Sequence, residues 1–176
     1  PVQAGQGQNI VAIVHGAKPQ NPQDWDQAAV QQGLRTGLGV VCSSLRERLE
    51  AVPSWRLWAL HDRPPLISAT QMAQGRLALL GDAAHPMRPY LAQGAGMAIE
   101  DAYALAQCWS QGEPVEQRLA HYASQRWARN ARVQARSIRN GEIFHAQGPM
   151  ALGRNLSLQL LGDRLMDVPW LYGHQG

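Results

Sequence analysis

The chain reads as a mixed α/β (α+β) protein, a partial sheet followed by carboxyl-terminal helices, and three observations lead there. Short β-branched or Leu/Ala runs closed by Gly or Pro occupy the first half, as buried strands do. From residue 98 onward, apolar residues recur at helical spacing. A hydrophobic content of 45% against 16% charged residues is enough for a core, yet no apolar run approaches the roughly 18 residues of a membrane span. No basic segment followed by an apolar run opens the chain as an export signal would, so a cytoplasmic setting is expected.

Taken in order, "QNIVAIVHG" (8–16) has the pattern of a buried strand and "AKPQNPQDWDQAAV" that of a proline-marked loop. A helix is expected from about Leu38 to Leu49, with Val41, Leu45 and Leu49 on one face and Pro53 beyond its end. "WRLWALHDR" (55–63) alternates partially, as a second strand that Pro64-Pro65 prevents from continuing. Arg76 to Leu80 is continuous Leu and Ala, the expectation for a parallel strand covered on both faces. Helices are expected over Ala98–Trp109 and from about Val115 to Asn140, where Gly141 should break the second. Val115, Leu119, Tyr122 and Val133 are its core candidates, and one more amphipathic helix lies in the tail.

Cys42 and Cys108 lie far apart and form no metal-type spacing, so two free buried thiols are expected. No His/Cys/carboxylate cluster suggests a metal site. The net charge of +3 is concentrated between Arg118 and Arg139, where Arg126, Arg129, Arg132 and Arg136 follow a helical stripe. A solvated helix face that packs its aliphatic stems is the favoured reading, with no nucleic-acid or membrane partner. A stripe that touches phosphates is the other.

The chemistry concentrates in "GRLALLGDAAHPMRPYLAQGAGMAIEDAYAL", residues 75–105. Asp82 stands just past the carboxyl end of a predicted strand, where open α/β sheets bind ligands. A carboxylate only accepts hydrogen bonds and so suits paired donors such as ribose hydroxyls. Gly94, Ala95 and Gly96 open the next helix almost without side-chain bulk. Free N–H groups and the helix dipole at that end favour a flat, partly anionic group. Pro86 and Pro89 make the intervening segment rigid and remove two donors. On this spacing alone, a plain strand-turn-helix with glycines for a tight turn is an equal alternative.

The order of residues in this stretch resembles the second flavin-binding motif of the FAD-dependent aromatic hydroxylases, the group A flavoprotein monooxygenases. The residues that carry the likeness are Gly75-Arg76, Gly81-Asp82-Ala83-Ala84-His85-Pro86, Pro89, Gln93-Gly94-Ala95-Gly96 and Ile99-Glu100-Asp101-Ala102. Within the group the stretch is most similar to the salicylate and hydroxynicotinate hydroxylase branch. Weaker likeness extends along "NIVAIV", "WALHDRPPL", "YASQRWARNARVQ", "GEIFHAQGP" and "WLYG".

The resemblance implies the carboxyl-terminal part of an FAD-binding aromatic-hydroxylase fold. Residues 1–73 would be a remnant of the substrate-binding sheet domain, and 74–176 the second part of the FAD-binding domain with its carboxyl-terminal helices. The G-x-G-x-x-G fingerprint would belong to a missing amino-terminal half, the segment alone being inactive. The implied activity is an FAD-dependent monooxygenase that uses NADH or NADPH and O2 to hydroxylate a salicylate-like or hydroxynicotinate-like ring. A related quinone-precursor or polyketide hydroxylase, or a non-catalytic remnant acting as a binding or assembly module, is the alternative. Self-association into a homodimer is compatible with either.

By the same resemblance Asp82 would hold the ribityl or ribose part of FAD. The backbone from Gln93 through Gly94, Ala95 and Gly96 to Met97 would face the pyrimidine edge of the flavin. Pro89 would lie near the reactive face beside the substrate, and Tyr90 stands where some relatives carry His. A phenol donates to a substrate carboxylate or hydroxyl but is a poor base at neutral pH. His85 is expected to make structural hydrogen bonds, and Glu100-Asp101 to support the start of its own helix.

Overall fold

The computed structural model describes residues 9–16, 21, 23–24, 27–29, 31–109, 112–162 and 168–173. The chain divides into two compact units, Pro1–Leu60 and His61–Gly176. Leu66 and Met72 belong to the core of the second unit.

In the first unit, β1 (Gln27–Ala29) pairs antiparallel with β2 (Trp55–Leu57), Ala28 opposite Arg56. Two short helices, α1 (Gln31–Leu38) and α2 (Ser43–Glu50), lie between them in sequence. The expected helix therefore begins five residues late, and Val41 is not on it. Gly39 at φ +65° closes α1 and Cys42 is extended, which separates the two. Arg35 ties the helices together through Glu50 at 2.9 Å. Leu49 is buried as expected, whereas Leu45 is 39% exposed.

Residues 9–16 form neither helix nor strand, contrary to expectation. Their β-branched composition supplies propensity, but a strand exists only through a ladder partner, and these residues pair with none of the described strands. The strand expected over 55–63 shortens to β2 for the same reason.

The second unit is mostly helical. After α3 (Ala69–Met72), β3 (Ala73–Gln74) and β4 (Leu77–Ala78) form a two-residue antiparallel hairpin. The parallel strand expected at Arg76–Leu80 is thus corrected to an antiparallel one. A parallel partner needs a crossover of a dozen or more residues, whereas Gly75 at φ +57° closes a local turn.

A 3₁₀ turn (Gly81–Ala83) leads to α4 (Gly94–Trp109), α5 (Val115–Phe144), α6 (Gly148–Leu161) and α7 (Pro169–Tyr172). α5 does not break at Gly141 but continues to Phe144. One core cluster joins Leu66, Met72, Ala84, Cys108, Tyr122 and Ala123, and a second joins Leu91, Met97, Val133, Val168 and Leu171. Leu119, Tyr122 and Val133 are buried as their spacing on α5 predicts, and Val115 is half-buried. No helix among the described residues is long and apolar enough to cross a membrane.

Two expectations about side chains are corrected here. Cys108 is buried, but Cys42 is exposed, because it precedes α2 at a helix start rather than on a packed face. The arginine stripe of α5 is only partly solvated. Arg126 is 6% exposed and Arg129 largely covered, since both meet the carboxylates of α4. Arg132 lies over the Trp170 ring at 3.9 Å, a cation–π placement.

Candidate functional site

Gly81 and Asp82 sit in the 3₁₀ turn immediately after β4. Gly81 has φ +57°, a backbone conformation that a side chain would strain. Its N–H donates to Asp101 Oδ2 at 3.1 Å, which anchors the turn to α4. Asp82, one residue on, is exposed and accepts no hydrogen bond among the described residues. A Cβ built on Gly94 would lie 3.9 Å from Asp82 Oδ1, so the carboxylate stands beside the amino-terminal end of α4.

The chain reaches that end through a strained corner. Pro89 O accepts from Ala92 N at 3.3 Å, and Ala92 holds φ +52° without being a glycine. Such backbone strain concentrates at ligand-facing segments. Gln93 O receives the first helical hydrogen bond, from Met97 N at 2.9 Å. The N–H groups of Gly94, Ala95 and Gly96 precede the first helical donor and have no acceptor within α4. Met97, expected to share their role, is placed differently: its amide is used inside the helix and its side chain is fully buried in the second core cluster.

Beneath the turn lies a buried polar network that the sequence reading missed. Asp101 is fully buried and accepts from His85 Nε2 (2.6 Å), Arg126 Nε (2.9 Å), Asn130 Nδ2 (2.9 Å) and Gly81 N. Burial pushes its carboxyl upward, but hydrogen bonds from His85, Asn130, Arg126 and Gly81 outweigh that and bring it down to about 2. Glu100 is held below its usual range against the cost of burial by Arg129 and Arg126. Thus Asp101, the eighth residue of α4, braces the Gly81 turn and α5 rather than the start of its own helix. His85 takes the structural position expected of it.

The same face of α5 continues along the proline segment. Gln134 Nε2 donates to Pro86 O at 3.1 Å and Ser137 Oγ to Arg88 O at 2.5 Å. Gly141 lies against the Tyr90 ring, and His145 Nε2 meets the Tyr90 hydroxyl at 2.9 Å. Residues 126, 130, 134, 137, 141 and 145 therefore form one stripe at spacings of three and four. The signal was present as polar residues on the same side of the helix as Tyr122 and Val133, but polar side chains at helical spacing read as a solvated face.

Pro89 and Tyr90 line an open pocket of about 380 Å³ whose other walls include residues of α5, α6 and α7. Burial raises the Tyr90 phenol above its ordinary value against the opposing charge of Arg88, so the hydroxyl is a donor or acceptor and not a base at neutral pH. Its ring packs edge-on against Phe144 at 5.8 Å.

A family model described as "FAD binding domain" matches residues 9–137. The chain belongs to this FAD-binding family. It is 34% identical to the 3-hydroxybenzoate 6-hydroxylase of Polaromonas naphthalenivorans (strain CJ2) over 98% of its own length and 43% of that protein's. It is 35% identical to a salicylate hydroxylase of Pseudomonas putida over 99% of itself and 41% of the relative. A solved salicylate hydroxylase substrate complex superposes with a TM-score of 0.69 at 30% identity, covering 89% of this chain and 38% of that one. The chain therefore spans less than half the length of these relatives.

The residues present fit the family's cofactor. A carboxylate exposed and without a partner among the described residues, a helix start whose glycine leaves the space beside it open, and a positive-φ corner make a cradle for a ligand with hydroxyl donors and an electron-rich edge. FAD has both.

Proposed function

We propose that this chain is the second part of the FAD-binding domain of an aromatic-ring hydroxylase, together with part of its substrate-binding sheet. In that assignment residues 1–73 contribute to the substrate sheet and 74–176 to the flavin domain. The G-x-G-x-x-G fingerprint that holds the ADP part of FAD comes from another stretch of the polypeptide. The observation that carries the reading is the exposed Asp82 carboxylate beside the free N–H groups of Gly94, Ala95 and Gly96.

Asp82 would accept hydrogen bonds from the hydroxyls of the ribityl or ribose part, and the Gly94–Gly96 amides would donate to the pyrimidine edge. Donors fixed in place in this way would favour negative charge at that edge without rearrangement. FAD, when bound, supplies the redox chemistry between NADH or NADPH, O2 and the ring. Pro89 offers an apolar, non-donating wall beside the ring, which excludes water from that side. Tyr90, steadied by His145, orients a substrate oxygen. The relatives act on salicylate and 3-hydroxybenzoate by their names, which supports a single-ring aromatic acid as substrate.

The test is the visible absorption spectrum after incubation with FAD and gel filtration, for the chain alone and joined to the first half of a 3-hydroxybenzoate hydroxylase. A flavin band retained in the joined protein and lost in its Asp82→Ala variant is expected. No retained band in a folded joined protein would refute the reading.

A further inference from the structure

The charged side chains of α4 are Glu100 and Asp101, and both are acids. They follow Gly94 by six and seven residues in the sequence, about 9–10 Å along a helix that rises 1.5 Å per residue. The helix dipole places roughly half a positive charge at the Gly94 end. Two uncompensated carboxylates that close to it would cancel its effect on a group bound there.

Both acids are answered from α5. Arg129 grips Glu100 with Nε on Oε2 and Nη2 on Oε1, each at 2.8 Å. Arg126 reaches both acids, Nη1 meeting Glu100 Oε2 at 2.8 Å and Nε meeting Asp101 Oδ1 at 2.9 Å. Glu100 is held below its usual range and Asp101 at about 2, so both are charged at neutral pH. Two carboxylates and two guanidiniums sum to zero. Apolar side chains of similar volume would hold two helices together as well as such a buried cluster does, or better. What the cluster supplies beyond packing is its balance of charge.

We infer that Arg126 and Arg129 tune the reduction potential of the bound flavin. By cancelling Glu100 and Asp101 they leave the α4 dipole and the Gly94–Gly96 amides unopposed, which favours the reduced, anionic flavin over the oxidised one. They act through α4 and not by contact with the cofactor, and the inference rests on the proposed FAD assignment. A group hydrogen-bonded at that helix end stands about 12 Å from the acids, about 9 Å of helix plus about 3 Å of hydrogen bond. At an effective dielectric constant of about 20, one uncompensated charge at that distance shifts an equilibrium about tenfold. For a two-electron couple tenfold corresponds to about 30 mV.

The experiment is a spectroscopic measurement of the flavin potential against reference dyes, at low salt and pH 7. It compares the joined protein with its Glu100→Gln, Arg129→Gln and doubly substituted variants. Glu100→Gln leaves one positive charge in excess and should raise the potential by about 30 mV. Arg129→Gln leaves one negative charge in excess and should lower it by a similar amount, and the double variant should return it to the starting value. An ion pair that only held α4 in place would behave otherwise: breaking it from either side would move the potential in one direction, and the second substitution would restore nothing. Shifts of the same sign from the two partners, or no shift, would overturn the inference while the retained flavin left the FAD assignment standing. A folded joined protein that retains no flavin would refute that assignment and the inference with it. If Arg129→Gln fails to fold, the sign of the Glu100→Gln shift decides.

Discussion

Gly141→Ala tests whether α5 holds the Tyr90 segment by contact. In an exposed helix interior, alanine in place of glycine stabilises by about 1 kcal/mol. Here the new Cβ would lie 2.5 Å from Tyr90 Cε2, 3.0 Å from Cδ2 and 3.1 Å from Cζ. The ring cannot slide away freely, because Phe144 packs against it and its hydroxyl meets His145 at 2.9 Å. Displacing it costs about 1–3 kcal/mol of overpacking and about 0.5–1.5 kcal/mol for the disturbed hydrogen bond. After the propensity gain, a net loss of roughly 1–3 kcal/mol is expected. Gly153→Ala on α6, where an added Cβ meets nothing within 4 Å, is the control and should stabilise by up to about 1 kcal/mol. Urea unfolding of both variants at pH 7 measures the two signs. If Gly141→Ala stabilises as much as Gly153→Ala, the contact between α5 and Tyr90 is not what the geometry says.

Arg126→Met leaves Asp101 charged and buried with one fewer donor, so a loss of about 3–5 kcal/mol by urea unfolding is expected. Arg129→Met, on the half-buried Glu100, should cost less. The Asp101 carboxyl at about 2 lies below the ordinary aspartate value of 3.8, so its stabilising effect is present above about pH 4 and is lost as pH falls through 2. Unfolding curves should therefore show the gap between the unsubstituted chain and Asp101→Asn, on the order of 2 kcal/mol at pH 7, narrowing between pH 4 and 2; a gap independent of pH would contradict the network. The Cys42 thiol is exposed and its pKa is lowered by hydrogen bonds from Ser44 and the Leu45 amide. A thiol reagent should accordingly modify one cysteine quickly and Cys108 only on unfolding.

What could be read from the sequence was what local chemistry determines. The α4 start, the long α5 and the core positions Leu119, Tyr122 and Val133 follow from periodicity and small residues within a few turns. The strand expected over 8–16 and the parallel strand at 76–80 failed because strand identity depends on a partner that composition does not name. Gly141 read as a breaker because helix propensity knows nothing of Tyr90, fifty-one residues away in sequence, for which the missing side chain makes room. The candidate site divided in the same way. Asp82 and Gly94–Gly96 were visible as a motif, whereas Asp101 and the α5 stripe act through contacts sixteen or more residues apart.

That division follows from what the site needs. A segment with two prolines and a positive-φ alanine cannot hold itself in place by its own ladder, since it lacks donors and regular dihedrals. Its carbonyls at Pro86 and Arg88 still require partners, and a helix surface supplies them at about 5–6 Å intervals through residues three and four apart. Polar side chains on a buried helix face cost stability unless each is satisfied. Gln134 and Ser137 accept that cost because their acceptors are the backbone of the ligand-facing segment, and Arg126 and Asn130 because theirs is Asp101. The rigidity that α5 confers on the Pro86–Tyr90 segment and the polarity of its inner face are one feature. Replacing that face by leucines would leave a well-packed helix next to a segment with no fixed conformation.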